Sequence, residues 1–186
     1  MSNKIIQAMI DRRIRSYYML ALGVVLLDQM TKNWASTELS YGIAEPITSF
    51  FNFTLLHNHG AAFSFLSDAG GWQRWFFGVI AIVVSFVLVV WIAKLPSEKR
   101  FEALALSLIL GGAIGNLYDR MVLGYVVDFV VLHYEQHAWP AFNIADMGIS
   151  CGAAMLIYDM FFNKDVEAET GTDAESKESS DLKSND

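Results

Sequence analysis

Residues 103–123 read ALALSLILGGAIGNLYDRMVL, and residues 144–162 read IADMGISCGAAMLIYDMFF. Each is long enough to cross a hydrocarbon core as a helix, which takes about 20 residues. Asp128 stands just beyond the first segment and Asp146 near the start of the second. Consecutive spans run in opposite directions, so the end of one and the start of the next share a membrane face, and the two carboxylates can meet there. An ionisable residue at bilayer depth is expensive and by default marks a functional site. Two carboxylates within reach push their pKa values apart, which suits acid and base work on one water molecule.

Two further apolar stretches, about residues 16–35 and 72–94, bring the spans to four, with the last reaching back to Pro140. At 54% hydrophobic and 18% charged, the 186-residue chain is too apolar for an ordinary soluble domain. Its net charge of −7 does not describe the apolar part. Residues 164–186 hold three Lys against eight Asp or Glu, leaving ten basic and twelve acidic residues before them. This gives two regions: a membrane domain over residues 1–163 and a disordered, solvated acidic tail over 164–186. Arg12, Arg13 and Arg15 before the first apolar run suggest a signal peptide, but Asp28-Gln29-Met30-Thr31-Lys32 follows instead of a small-residue cleavage site, so an uncleaved span is expected. Cys151, the single cysteine, is read as a packing residue.

Lys4, Arg12, Arg13 and Arg15 flank the first span, and Lys94, Lys99 and Arg100 fill the turn between the second and third. The loops at about residues 36–71 and 122–139 hold no Lys or Arg. The positive-inside rule then places both termini in the cytoplasm and both aspartates at the outer face. Phe51, Phe53 and Leu55 alternate with Asn52 and Thr54, the period of a strand. Asn58-His59-Gly60 offers a turn, residues 61–65 a second short strand or bend, and residues 125–133 a further strand with Val126, Asp128 and Val130 on one side. The expected fold is an all-α membrane protein of four transmembrane helices carrying a small extracytoplasmic β-sheet and loop cradle.

Asp28 and Lys32 share a helix face, which suits either a structural ion pair or support of a substrate site. Gly111-Gly112-Ala113-Ile114-Gly115 makes a small-residue face for close helix packing. Asn116 and Arg120 lie on one face at the end of that span, and an interfacial anchor formed by Asp119 and Arg120 is the plain alternative to a role in a site. On that view Asp119→Asn keeps substantial activity. His57, His59, His133 and His137 show no compact ligand motif, so no metal is expected. Aspartates between helices also serve proton relays in transporters, but those favour repeats and broken helices, which the sequence lacks.

Five blocks carry a family resemblance: Asp28-Gln29-Met30-Thr31-Lys32, Asn58-His59-Gly60-Ala61-Ala62-Phe63-Ser64, Gly115-Asn116-Leu117-Tyr118-Asp119-Arg120, Gly124-Tyr125-Val126-Val127-Asp128-Phe129 and Phe142-Asn143-Ile144-Ala145-Asp146. In these motifs and their order the chain resembles the lipoprotein signal peptidases (signal peptidase II), aspartic peptidases of the bacterial inner membrane. The resemblance implies a diacylglyceryl-modified prolipoprotein substrate, cut N-terminal to its lipidated cysteine, and Asp128 and Asp146 as catalytic dyad. Asn58, Asn116, Arg120 and Asn143 would shape the substrate pocket, with Asp28 and Lys32 supporting it. It further implies inhibition by the cyclic peptide globomycin, contact with membrane lipids, no nucleic-acid partner, and no metal or organic cofactor.

Overall fold

The computed structural model describes residues 12–60, 71–135 and 137–162. In chain order the elements are α1 (Arg12–Glu38), β1 (Glu45–Pro46), β2 (Phe51–Asn58), α2 (Gln73–Lys94), α3 (Arg100–Val122), β3 (Val126–Tyr134), β4 (His137–Ala138) and α4 (Ile144–Phe162). The strand or bend expected at 61–65 and the acidic tail lie outside the described residues.

The protein is mostly helical, and α2, α3 and α4 are long and apolar enough to cross a membrane. Helix α1 has the length, but Asp28, Gln29, Lys32 and Asn33 in its second half lower its hydropathy, and it does not qualify by composition. The turn between α2 and α3 is set by Pro96. The residue before a proline is pushed out of the helical region, and Leu95 is extended at φ −64°, ψ 134°. Arg13 in α1 donates to the Leu95 carbonyl at 3.1 Å, so the start of α1 and this turn lie at one end of the bundle.

α3 is the central helix, packed against the other three. Its glycines allow this: a Cβ on Gly111 would stand 2.6 Å from the Ala21 carbonyl oxygen, and one on Gly112 would overlap the Ala145 carbonyl. Helix α4 answers with Gly148 and Gly152, whose missing side chains admit the Leu108 and Ala105 carbonyls of α3, a small-xxx-small contact of the kind that drives helix association in lipid. One apolar cluster at the Arg13 end joins Ile14, Tyr17 and Ala21 with Leu88, Ile92, Leu106 and Leu110. A second, at the opposite end, joins Ala35 and Leu39 with Leu55, Val127 and Phe129 under the sheet.

The sheet runs β1-β2-β3-β4, antiparallel throughout. Between Phe53 and Leu56 the β2–β3 register shifts, from Phe53 opposite Val130 to Leu56 opposite Asp128. The extra residue on β2 is a bulge, and it decides which way the end of the strand faces. With it, Asn58 pairs with Val126 and shares a face with Asp128. An unbroken register would turn Asn58 to the other face.

The fourth helix starts later than the sequence suggests. Residues 140–142 are not helical, because the Phe142 backbone is clipped to β3: its N–H donates to the Val130 carbonyl at 3.0 Å, and its carbonyl accepts from Val130 at 2.9 Å. Pro140 therefore does not open α4, and Asn143 is its cap.

Candidate active site

The N-terminus of α4 organises the site. Asn143 Oδ1 accepts from the Asp146 N–H at 2.9 Å, and Asp146 Oδ2 accepts from the Asn143 N–H at 3.3 Å. This reciprocal pair is a capping box, which satisfies two of the orphan donors of a helix start. A third orphan donor, the Ala145 N–H, donates to Asp28 Oδ1 of α1 at 2.9 Å. The spacing of Asn143 and Asp146 thus reflects a cap and its partner rather than two groups along one helical face.

Asn143 also joins the two carboxylates. Its Nδ2 donates to Asp128 Oδ1 at 2.7 Å, while its backbone N–H and Oδ1 hold Asp146. Asp128 Oδ2 accepts from Asn58 Nδ2 at 3.1 Å, a contact that depends on the bulge, and Asn58 Oδ1 accepts from the Gly60 N–H at 3.0 Å in the expected turn. Asp146 Oδ1 accepts from Asn116 Nδ2 at 2.7 Å. Arg120 donates to the carbonyls of Asn116 and Gly60 at 3.2 and 3.1 Å and lies over the Phe77 ring.

Behind Asn116 lies a buried charge cluster. Lys32 Nζ stands 2.8 Å from Asp28 Oδ2 and 2.8 Å from Asp119 Oδ2, and it donates to Asn116 Oδ1 at 3.0 Å. Gln29 Nε2 donates to Asp28, to Asp119 and to the Gly115 carbonyl. Asp119 Oδ2 also accepts from the Val127 N–H at 3.2 Å. Lys32, Asp28 and Asp119 are 3%, 0% and 1% exposed, so the cluster has no water to fall back on. Gly115 makes room for it, since a Cβ there would be 2.6 Å from Asp28 Oδ2.

All eight residues singled out in the sequence therefore lie in one connected network. Two members were missed. Asp119 turns to Lys32 and Val127 rather than forming an interfacial anchor with Arg120, and Gln29 bridges the two buried carboxylates. The available signal was the stripe Gly112, Gly115, Asn116, Asp119, whose spacing puts Asp119 on the packed face of α3.

A cavity of about 620 Å³ opens beside Asp146, with the polar groups of Asn58, Asn116 and Arg120 in its lining together with Trp139, Met147 and Cys151. A neighbouring cavity of about 520 Å³ lies on the Asp128 side and shares Asn58 and Trp139 with the first.

Comparison with known proteins decides the family. Residues 20–162 match the family model described as signal peptidase (SPase) II. The lipoprotein signal peptidase of Teredinibacter turnerae is 64% identical over 150 residues, covering 81% of this chain and 89% of the relative. That of Cellvibrio japonicus is 57% identical over 149 residues, covering 80% and 88%. A solved bacterial membrane enzyme, obtained by the in meso method, superposes with a TM-score of 0.71 at 34% identity, covering 80% of this chain and 91% of that one. The chain belongs to the signal peptidase II family. It is a protease of the membrane, with several apolar helices to hold it there.

In this peptidase the Asp128 carboxyl, on β3 outside the helices, is pushed up to about 7, by burial first and then by the charge of Asp146. Donation from Asn58 and Asn143 pulls the other way without prevailing. The folded protein thus keeps a proton on Asp128 that the unfolded chain releases near 3.8. Between those values the native state binds more protons, so this group makes stability fall as pH rises from the lower to the higher. Asp128→Asn, which cannot ionise, is expected to be more stable than the parent at pH 8, with the gap closing near pH 4. Thermal unfolding in one detergent at both pH values checks this; a variant less stable at pH 8 would refute it.

Proposed function

We propose that the chain is an aspartic endopeptidase that removes the signal peptide from diacylglyceryl-modified prolipoproteins, cutting N-terminal to the lipidated cysteine, with Asp128 and Asp146 as its catalytic pair. The observation that carries the reading is the joining of these two carboxylates through Asn143, next to a largely apolar cavity. Amide hydrolysis needs a base to activate water and an acid to protonate the leaving nitrogen, and a carboxylate pair holding one proton supplies both. Asn58, Asn116 and Arg120, which line that cavity, would orient the scissile carbonyl and stabilise the developing oxyanion. Asn143 holds the pair together, and Asp28 and Lys32 support the pocket from behind. The substrate's acyl chains would stay in the bilayer while its scissile bond reaches the carboxylates at the membrane boundary. Globomycin-type cyclic peptides would compete for the same cleft, and the reading requires no metal or organic cofactor.

In this reading α1 is a fourth span despite its polar half, because Asp28 and Lys32 are ion-paired and Gln29 is hydrogen-bonded to groups of the bundle. Residues 1–163 make up the membrane domain of an inner-membrane protein, and residues 164–186 have no part in catalysis. Both termini are cytoplasmic and the aspartates periplasmic, as the basic-residue asymmetry requires.

The peptidase purified in detergent is expected to cleave a lipidated prolipoprotein and leave the unlipidated precursor intact; equal cleavage of both would remove the lipid from the specificity. Orientation has its own measurement. In a Cys151→Ala background, Glu135→Cys should react with a membrane-impermeant thiol reagent on intact spheroplasts, while Ser97→Cys, in the α2–α3 turn, should react only after permeabilisation. The reverse pattern would invert the topology.

A further inference from the structure

The two carboxylates receive the same number of hydrogen bonds but from different sources. Each Asp128 oxygen accepts from a neutral amide, and the far ends of those amides meet only backbone N–H groups: Asn58 Oδ1 takes Gly60, and Asn143 Oδ1 takes Asp146. Asp146 is placed otherwise. Its Asn116 donor has its own oxygen held by the Lys32 ammonium at 3.0 Å. With Oδ1 committed to that cation, the Asn116 amide cannot flip, and its Nδ2 must face Asp146. Asp146 also occupies the third position of α4, where unpaired N–H groups and the helix dipole favour negative charge, and it shares a cavity wall with Arg120. Asp128 sits on a strand, 2% exposed, rather than in the first turn of a helix; the Lys32 charge reaches it too, but only through space, since neither of its amide donors has its oxygen held by that ammonium.

We propose that Lys32 is a positioning residue acting through Asn116, fixing the amide so that Asp146 is the carboxylate that takes the proton from water while Asp128 enters as the acid. The assignment rests on the aspartic-peptidase reading and deepens it. In the first step water oxygen bonds to the scissile carbonyl carbon, one water proton passes to Asp146, and the Asp128 proton passes to the carbonyl oxygen, giving a neutral gem-diol. In the second the proton on Asp146 moves to the leaving nitrogen, the C–N bond breaks, and one gem-diol hydroxyl returns its proton to Asp128. Both carboxyls then stand as they began. The high affinity of Asp128 for its proton fits the acid role.

The charged groups around the pair are Asp28 and Lys32 on α1, Asp119 and Arg120 on α3, with His57 and His59 of the β2 end in the wall of the Asp128 cavity. Two measurements separate the proposal from simple structural support. With aspartate 13C-labelled at Cγ and the signals assigned through the single Asn variants, the whole protein at pH 6 should show Asp128 as acid and Asp146 as carboxylate; the opposite assignment overturns the roles. In the pair Lys32→Gln with Asp119→Asn, which removes one charge of each sign, the acid limb of kcat/KM should move to higher pH by about one unit, tenfold in rate on that side. A folded pair whose profile keeps its shape while only its plateau falls would make Lys32 merely structural. Should that pair not fold, Asn116→Leu decides: it removes the acceptor for Lys32 and the donor to Asp146 without adding a charge, and must shift the same limb, an unmoved limb overturning the proposal. Failure of the underlying reading looks different, since Asp128→Asn or Asp146→Asn would then stay active whatever the pH profile.

Discussion

Asp128→Asn and Asp146→Asn should each lower the cleavage rate of a lipidated prolipoprotein by about 10²–10⁴-fold or more, the range of a lost general acid or base. The double variant should cost little beyond either single one, because in the proposed mechanism the two groups act on one proton as a unit. Both single variants should fold. Asn at 128 can still accept from one of its two amide neighbours and relieves the repulsion between the carboxyls. Asn at 146 can still accept from the Asn143 N–H and loses the interaction of a charge with the helix start, about 0.3–1 kcal/mol. The measurement is precursor accumulation in cells and cleavage in detergent at matched protein levels. Near-normal turnover by either single variant would refute the aspartic mechanism.

Lys32→Met is expected to prevent accumulation of folded protein. The ammonium stands 2.8 Å from each of two carboxylates that are almost wholly buried. Removing it leaves both uncompensated, and breaking a buried pair this way costs about 3–5 kcal/mol. That is a large share of the stability of any domain. Neutralising the partners together, in Asp28→Asn with Lys32→Met and Asp119→Asn, should restore part of the folded yield, because no charge is then left without a partner. A single Lys32→Met that accumulates and melts like the parent would show that water reaches the cluster. Asp119→Asn alone falls between these cases. Lys32 keeps Asp28 and Asn116, but a single amide oxygen replaces two that accept from Lys32, Gln29 and Val127. The loss of about 1–3 kcal/mol falls next to the strand that carries Asp128, so activity should drop further than the sequence alone suggests.

Much of this site was legible because its residue types are out of place. Asp28, Lys32, Asn116 and Asp146 interrupt runs of Leu, Ile, Val and Ala, and a polar group in such a run must be either paired or functional, whatever the details of packing. Hydropathy gave the lengths of α2, α3 and α4 for a similar reason: every backbone group inside a bilayer must be bonded within its own segment, so composition and length suffice. Helix α1 read less plainly, since its polar half is bought by partners on other elements that no local window contains.

That Asp128 and Asp146 lie at one end of the bundle, that an alternating strand precedes Asn58, and that glycines on α3 receive neighbouring helices can all be read from the chain. These follow from period, length and order along the chain. Tertiary structure alone decided the start of α4, where pairing of Phe142 with Val130 holds the backbone extended until Asn143 can cap the helix. It alone decided that a bulge turns Asn58 toward Asp128, because strand register belongs to two strands and not to one. And it alone decided that Asp119 serves Lys32 rather than Arg120. A charged side chain at a helix end can reach toward water or turn inward, and which it does depends on whether a partner 87 residues away in the chain is folded beside it.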